Sequence, residues 1–230
     1  DLHRPYVDEI ILLSKNNEPM YREKDIIDVW YDSGSVPFAQ YHYPFENENF
    51  FKDMFPADFI AEGVDQTRGW FFTLHALSIM LFGESSFKNV ISNGLVLDKD
   101  GNKMSKRLGN AVDPFEIIER YGPDATRWYM IANSNPWDNL KFNQDGIAEF
   151  SRKLFGTLSN TYNFFALYAN VDGYSGTESL IPYAKRTFDD RWIISKLNSL
   201  VKEVELSMNS YNPTKAARLI TVSYTHLTLP

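Results

Sequence analysis

The spacing of hydrophobic and polar positions changes along the chain in a way that marks separate regions. Residues 1 to about 27 are mixed, with an extended run from Tyr6 to Leu13 before a polar Lys15-Asn16-Asn17-Glu18-Pro19 turn, and this reads as a connector. From Ile26 the pattern becomes α/β: it predicts a strand at Asp58–Glu62, a helix from about Gln66 to Phe82 and a strand from Asn89 to Leu97. Such alternation suggests a parallel sheet. A polar loop from Asp98 to Asn110 follows. Asp113-Pro114-Phe115-Glu116 then supplies an N-cap, a proline at the first helical position and a box-type glutamate for a helix ending at Gly122. The next helix starts near Pro123, with Ala125, Trp128, Tyr129 and Ala132 at helical spacing.

After about Asn143 helices take over. One is expected to about Asn170 and another from Asp189 to Met208, the latter with Ile193, Leu197, Leu200, Val201, Val204 and Met208 on one face. Asp172 to Pro182 between them is the clearest exposed linker. The expected fold class is therefore α/β over residues 28–142, followed by an all-α region over 143–221. Val222 to Pro230 loses the helical period and matches, in order, a translated adapter of transposon-based sequencing libraries. It is read as a non-native tail, the alternative being an ordinary strand-like end. Position 1 is Asp, and helical patterning is cut short after Ile220, so the chain is expected to be an internal fragment.

Composition narrows the function classes. With 43% hydrophobic and 15% aromatic residues the chain can bury a core. A net charge of -7 argues against binding nucleic acid or anionic lipid through bulk charge, so any RNA contact must come from local basic patches. Absence of cysteine excludes disulfides and Cys-based zinc sites, and the four histidines show no ligand-like spacing, so no protein-ligated metal is expected. Gly69 to Gly83, the longest apolar run, is too short and interrupted to span a bilayer. A soluble cytoplasmic protein is expected, with no membrane partner.

Local chemistry concentrates in Asp98-Lys99-Asp100-Gly101-Asn102-Lys103-Met104-Ser105-Lys106-Arg107, which is cation-rich in an acidic chain. Asp100-Gly101-Asn102 is turn chemistry that projects the loop from a strand end, where open α/β sheets place ligands. Lys103 and Lys106 can close over a triphosphate and stabilise charge on a departing pyrophosphate. Most lysine-rich runs are solvated turns. A Lys-Met-Ser-Lys string arises by chance in roughly one chain in a thousand of this length, so its place between an apolar strand and a capped helix carries weight. Met104 is expected to pack the loop in place.

The loop resembles the KMSKS signature of class I aminoacyl-tRNA synthetases, with Arg107 in place of the final Ser. Asp28-Val29-Trp30-Tyr31-Asp32-Ser33-Gly34-Ser35 and Glu62-Gly63-Val64-Asp65-Gln66-Thr67-Arg68-Gly69-Trp70-Phe71 resemble blocks of the isoleucyl members, and Asp190-Arg191-Trp192-Ile193 looks like the start of a helical anticodon-binding domain. The resemblance implies the C-terminal half of a Rossmann-type nucleotide-binding domain over 28–142 and the beginning of the all-α anticodon-binding domain after 143. Residues 1–27 would be a connector following an editing insertion. It further implies isoleucine, ATP with Mg2+, and tRNA(Ile) as partners. Lys103, Ser105 and Lys106 would be catalytic, with both lysines on ATP. Glu62, Gly63, Asp65, Gln66 and Trp70 would bind the aminoacyl-adenylate.

From the residues alone Glu62 could equally satisfy a helix N-terminus, and Trp70 could be a core aromatic. His75 is expected to be a core histidine. The His-containing ATP motif of class I enzymes does not occur in the chain, so the isolated chain is expected to be inactive. The alternatives are a valyl enzyme and a non-catalytic synthetase-like tRNA-binding module.

Overall fold

The computed structural model describes residues 3–25 and 28–227, with side chains described as far as Ser223. In chain order the elements are β1 (Leu12–Leu13), β2 (Pro19–Met20), α1 (Val29–Gly34), α2 (Val36–Ala39), α3 (Glu48–Met54), β3 (Ile60–Gly63), α4 (Trp70–Phe82), β4 (Val90–Asn93) and β5 (Val96–Leu97). There follow α5 (Pro114–Tyr121), α6 (Pro123–Asn133), β6 (Leu140–Lys141), α7 (Gln144–Phe150), α8 (Thr157–Val171), α9 (Phe188–Asn209) and α10 (Pro213–Leu227). The chain divides into two compact units, one of Asp1–Ile60 with Asp65–Val90 and the other of Ala61–Val64 with Ile91–Pro230.

In the first unit, the Asp28 carboxylate accepts the Trp30 N–H at 2.7 Å and starts α1, which packs on α4. Phe51, 3% exposed, sits among Tyr43, Phe55 and Phe82, with ring centroids 4.2, 5.0 and 5.4 Å away. Buried hydroxyls are satisfied locally: Ser78 donates to Glu84 O at 2.6 Å and Ser86 to Leu74 O at 3.3 Å.

The second unit has its core where α5, α6, β6 and α7 meet, at Ile117, Ala125, Tyr129, Leu140 and Ile147. Parallel pairing of β5 with β6 aligns Val96 with Leu140 and Leu97 with Lys141. Tyr129 ties the layers together, because its hydroxyl donates to Lys141 O at 3.0 Å and accepts the Asn143 N–H at 2.9 Å. Burial pushes this phenol above its usual pKa. Gly146 leaves room for the ring: a Cβ there would fall 2.4 Å from Tyr129 Cε2. Helix α10 docks on the C-terminal end of α6, where Thr214 donates to Ile131 O at 2.8 Å and Arg218 donates to Ala132 O and Asn133 O at 2.8 and 2.7 Å. A guanidinium on the last carbonyls of a helix also complements its dipole.

Several sequence expectations change. Ile26, where the alternating pattern starts, and the ends of the chain at Asp1 and Pro230 lie outside the described residues. The run Tyr6–Leu13 is not extended throughout: Tyr6–Glu9 is a 3-10 turn and only Leu12–Leu13 pairs, antiparallel to Pro19–Met20. The helix expected from Gln66 starts at Trp70, after a 3-10 turn over Val64–Arg68. The strand expected over 89–97 breaks between Asn93 and Val96, since β4 pairs with β3 whereas β5 pairs with β6. Gly94 makes that change of partner possible: its N–H donates to Pro136 O at 2.8 Å, and a Cβ would fall 2.3 Å from Asp138 O. In place of one continuous parallel sheet there are paired strands, with a further parallel bridge between Ala57 and Phe87.

His75 is exposed rather than in the core. Helix α4 is apolar on every side, so periodicity could not say which face packs; Phe71, Leu74 and Ser78 are the buried set. The helix after Asn143 is interrupted by a π-helical stretch at Ser151–Gly156. On α9, Leu197, Val201 and Met208 of the expected apolar face are exposed, and Ser207 is the buried residue. The linker 172–182 is exposed and without regular structure. Helix α10, anchored through Thr214, Ala216, Ala217 and Arg218, runs on to Leu227 instead of ending near Ile220.

Candidate functional site

The lysine loop is shaped by polar side chains at its two ends. Asp98 N–H donates to Asn102 O at 2.9 Å, and Leu97 bridges Lys103 in antiparallel fashion, so the segment folds back as a tight hairpin through Gly101, whose φ of +91° suits glycine. Inside the hairpin the Asp98 carboxylate accepts from Asp100 N, Asn102 N and Asn110 Nδ2 at 3.0, 2.7 and 2.9 Å. These hydrogen bonds, that from Asn110 foremost, hold its pKa below the usual carboxylate range. Asn110 Oδ1 accepts the Ser105 N–H at 2.9 Å, and Asn110 Nδ2 also donates to Lys103 O at 3.3 Å. Ser105 Oγ accepts the Leu108 N–H at 3.2 Å and caps a 3-10 turn over Lys106–Leu108.

The expected catalytic residues are therefore brought together in one loop. Lys103, Lys106 and Arg107 are exposed, and among the described residues none of them is paired with a carboxylate. Met104, expected to pack the loop in place, is half-buried, and so is Ser105, which was expected to be catalytic. Clustered free ammonium groups on a fixed backbone favour a polyanion.

Of the residues expected to bind the adenylate, Glu62 is exposed near the end of β3, where its carboxylate accepts the Gly63 N–H at 3.1 Å. In the other unit, Asp65, Gln66 and Trp70 form a connected set. Gln66 Nε2 donates to Asp65 Oδ2 at 3.3 Å, Gln66 Oε1 accepts the Trp70 N–H at 2.9 Å, and Trp70 Nε1 donates to Ser33 O at 3.1 Å. Trp70 walls a largely apolar cavity of about 270 Å³ with Val36, Pro37, Met54, Ile60 and Leu74. That chemistry fits an aliphatic group better than a charged one. Among the described residues no cluster of His, Asp or Glu could hold a metal ion.

Residues 1–143 match the family described as tRNA synthetases class I (I, L, M and V). The chain belongs to that family. Isoleucine–tRNA ligase of Cytophaga hutchinsonii is 67% identical over 220 residues, covering 96% of this chain and 20% of that protein. The enzyme of the same name from Bacteroides thetaiotaomicron is 67% identical over 222 residues, covering 96% of this chain and 19% of its own length. The chain thus spans about a fifth of the curated relatives it matches. Two solved class I synthetases share the fold. One is the Agrobacterium radiobacter leucyl enzyme in a ternary complex with tRNA and LeuAMS, with a TM-score of 0.72 at 18% identity over 92% of this chain and 28% of its own. The other is Mycobacterium tuberculosis methionyl-tRNA synthetase with methionyl-adenylate, at 0.69 and 20% over 84% and 37%.

Within this class I synthetase chain, sequence reasoning bracketed the loop correctly but overlooked the residues that hold it. Asp98 and Asn110 were its boundaries, not its organisers. The available signal was Asp98-x-Asp100-Gly101-Asn102, a pattern in which a carboxylate takes N–H groups two and four residues on. Trp30 was likewise used only to recognise its block, whereas its ring lies against Gly69, at 3.0 Å from where a Cβ would stand.

Proposed function

We propose that this chain is the part of an isoleucine–tRNA ligase that carries the ATP-facing lysine loop, and that the complete enzyme joins isoleucine to tRNA(Ile). The observation that carries the reading is the loop, in which Lys103, Lys106 and Arg107 are exposed cations, unpaired with a carboxylate among the described residues, on a backbone fixed by Asp98 and Asn110. The identity to isoleucine–tRNA ligases supports the choice of amino acid.

In the first step, an isoleucine carboxylate oxygen attacks the α-phosphorus of MgATP, and the bond from that phosphorus to the β-phosphate bridge breaks. Pyrophosphate leaves with the electron pair. Lys106, and behind it Lys103, neutralise the charge that grows on the departing group, an effect confined to the transition state and products. Ser105 caps the turn on which Lys106 stands. Glu62 pairs with the α-ammonium group, Gly63 lets the substrate approach the strand end, Asp65 and Gln66 serve the amino acid or ribose, and Trp70 packs on the aliphatic side chain. In the second step a terminal ribose hydroxyl of the tRNA attacks the activated carbonyl and AMP leaves.

Residues 28–142 are read as the C-terminal half of the Rossmann-type catalytic domain and 143–221 as the helical connector and start of the anticodon-binding domain. Residues 1–27 are read as a connector, 222–230 as an adapter-derived tail, and the location as cytoplasmic. The test is ATP–pyrophosphate exchange by the complete ligase with isoleucine and with valine. Isoleucyl enzymes are themselves the standard example of a one-methylene discrimination of roughly two orders of magnitude. Exchange that favours isoleucine to about that extent is expected, and equal or greater exchange with valine would remove the assignment.

A further inference from the structure

The function proposed above uses the cations of the lysine loop; what fixes them in place is a separate question, and the loop's own polar groups answer it. Asn110 reaches both limbs of the hairpin from outside it: Nδ2 donates to the Asp98 carboxylate at 2.9 Å and to Lys103 O at 3.3 Å, while Oδ1 accepts the Ser105 N–H at 2.9 Å. Its contacts thus fall on the backbone of Lys103 and Ser105, on either side of Met104 and directly before Lys106. Asp98 in turn holds the far limb through the N–H groups of Asp100 and Asn102. Both residues are half-buried, and the bonds from Asn110 to Asp98 and from Ser105 to Asn110 are partly shielded from water.

We propose that Asn110, braced by Asp98, is a positioning residue for the activation step: it latches the loop so that Lys103 and Lys106 are presented along a fixed backbone course. This rests on the function proposed above. An amide is required at one end and a carboxylate at the other. Asn110→Asp keeps the acceptor for Ser105 but removes the donor to Lys103 O and sets two carboxylates against each other, and Asp98→Asn leaves one oxygen where two are used, so its NH2 faces either Asn110 Nδ2 or the N–H groups of Asp100 and Asn102. The double variant Asp98→Asn with Asn110→Asp restores one donor and one acceptor between the two side chains, with the pair reversed, and leaves Lys103 O without its donor, so the recovery is partial. Loss and recovery of this kind distinguishes a latch from general damage.

Two measurements test it. In the 230-residue chain, hydrogen exchange at the Asn102 amide is expected to quicken by about tenfold in either single variant, at unchanged melting temperature, and to return towards the original rate in the double variant, while the Ser105 amide quickens to that extent in Asn110→Ala. In the complete ligase carrying this segment, Asn110→Asp is expected to lower kcat for ATP–pyrophosphate exchange by about tenfold or more with the KM for isoleucine unchanged, again recovered in the double variant. Unchanged exchange of the Ser105 amide in Asn110→Ala, which removes both the acceptor for that N–H and the donor to Asp98, overturns the latch. Faster amide exchange with normal kcat overturns the positioning role. Loss in both singles without recovery in the double overturns the reciprocal pairing. If the unaltered ligase shows no isoleucine-dependent exchange, the function proposed above falls and the positioning role with it, while the amide data still decide whether the latch exists.

Discussion

The lysine loop and the set formed by Asp65, Gln66 and Trp70 both depend on polar side chains, but they divide the labour differently. In the loop, Asp98 and Asn110 do the holding and Lys103 and Lys106 are left free. In the block, the same residues hold and are expected to bind: Gln66 accepts the first N–H of α4, and the Trp70 indole both donates to Ser33 O and walls the apolar cavity. The loop is closed by residues within a short stretch of sequence, whereas Trp70 reaches a partner 37 positions away. Changes in the block should therefore be felt by the fold, and changes in the loop chiefly by the chemistry.

The largest stability effect is expected at Trp70. Trp70→Ala removes the indole hydrogen bond and enlarges the cavity beside Leu74, and should lower unfolding free energy by about 3 kcal/mol in denaturant titration. A loss under about 1 kcal/mol would mean the block is not tied to the fold as described. Tyr129→Phe, which leaves Lys141 O and the Asn143 N–H without their partner, should cost about 1–3 kcal/mol. Since burial raises the Tyr129 pKa, its contribution is complete below the unfolded tyrosine range and is lost as pH rises through the folded value. A stability profile flat from neutrality to well above pH ~10 would contradict that. Gln66→Ala, which removes the cap on Trp70 N–H and an exposed hydrogen bond to Asp65, should cost about 1 kcal/mol.

The smallest effect belongs to the loop. Asp98 has a lowered pKa, so the hydrogen bonds it accepts persist above the unfolded carboxylate range and are lost as pH falls through its depressed folded value. Protection of the Asn102 amide, corrected for intrinsic rates, should therefore be constant from neutrality to about pH 5 and decline only in stronger acid. A decline already complete at pH 5 would show that the carboxylate is not the acceptor.

The same difference in reach explains what was legible in the sequence. Features set by neighbours could be read: the N-cap Asp113 with Pro114 behind it, the stop at Gly122, and the loop limits at Asp98 and Asn110. Features set by distant residues could not. The break at Gly94 depends on Pro136 and Asp138, the short strand at Leu140 depends on β5, and the docking of α10 depends on Arg218 finding the end of α6. His75 failed for a third reason, since a helix apolar on every side gives no periodicity to orient it. In the site, the lysines carried a recognisable string, whereas Asn110 acquires its role only once the hairpin has closed.

The most direct test of the central claim is ATP–pyrophosphate exchange by the complete ligase with Lys106→Ala. If Lys106 meets charge that develops only as pyrophosphate leaves, kcat should fall by roughly 10²–10³-fold while isoleucine binding and thermal stability stay within about twofold and a few degrees of the unaltered enzyme. Exchange at the unaltered rate, or a loss confined to isoleucine affinity, would contradict the account.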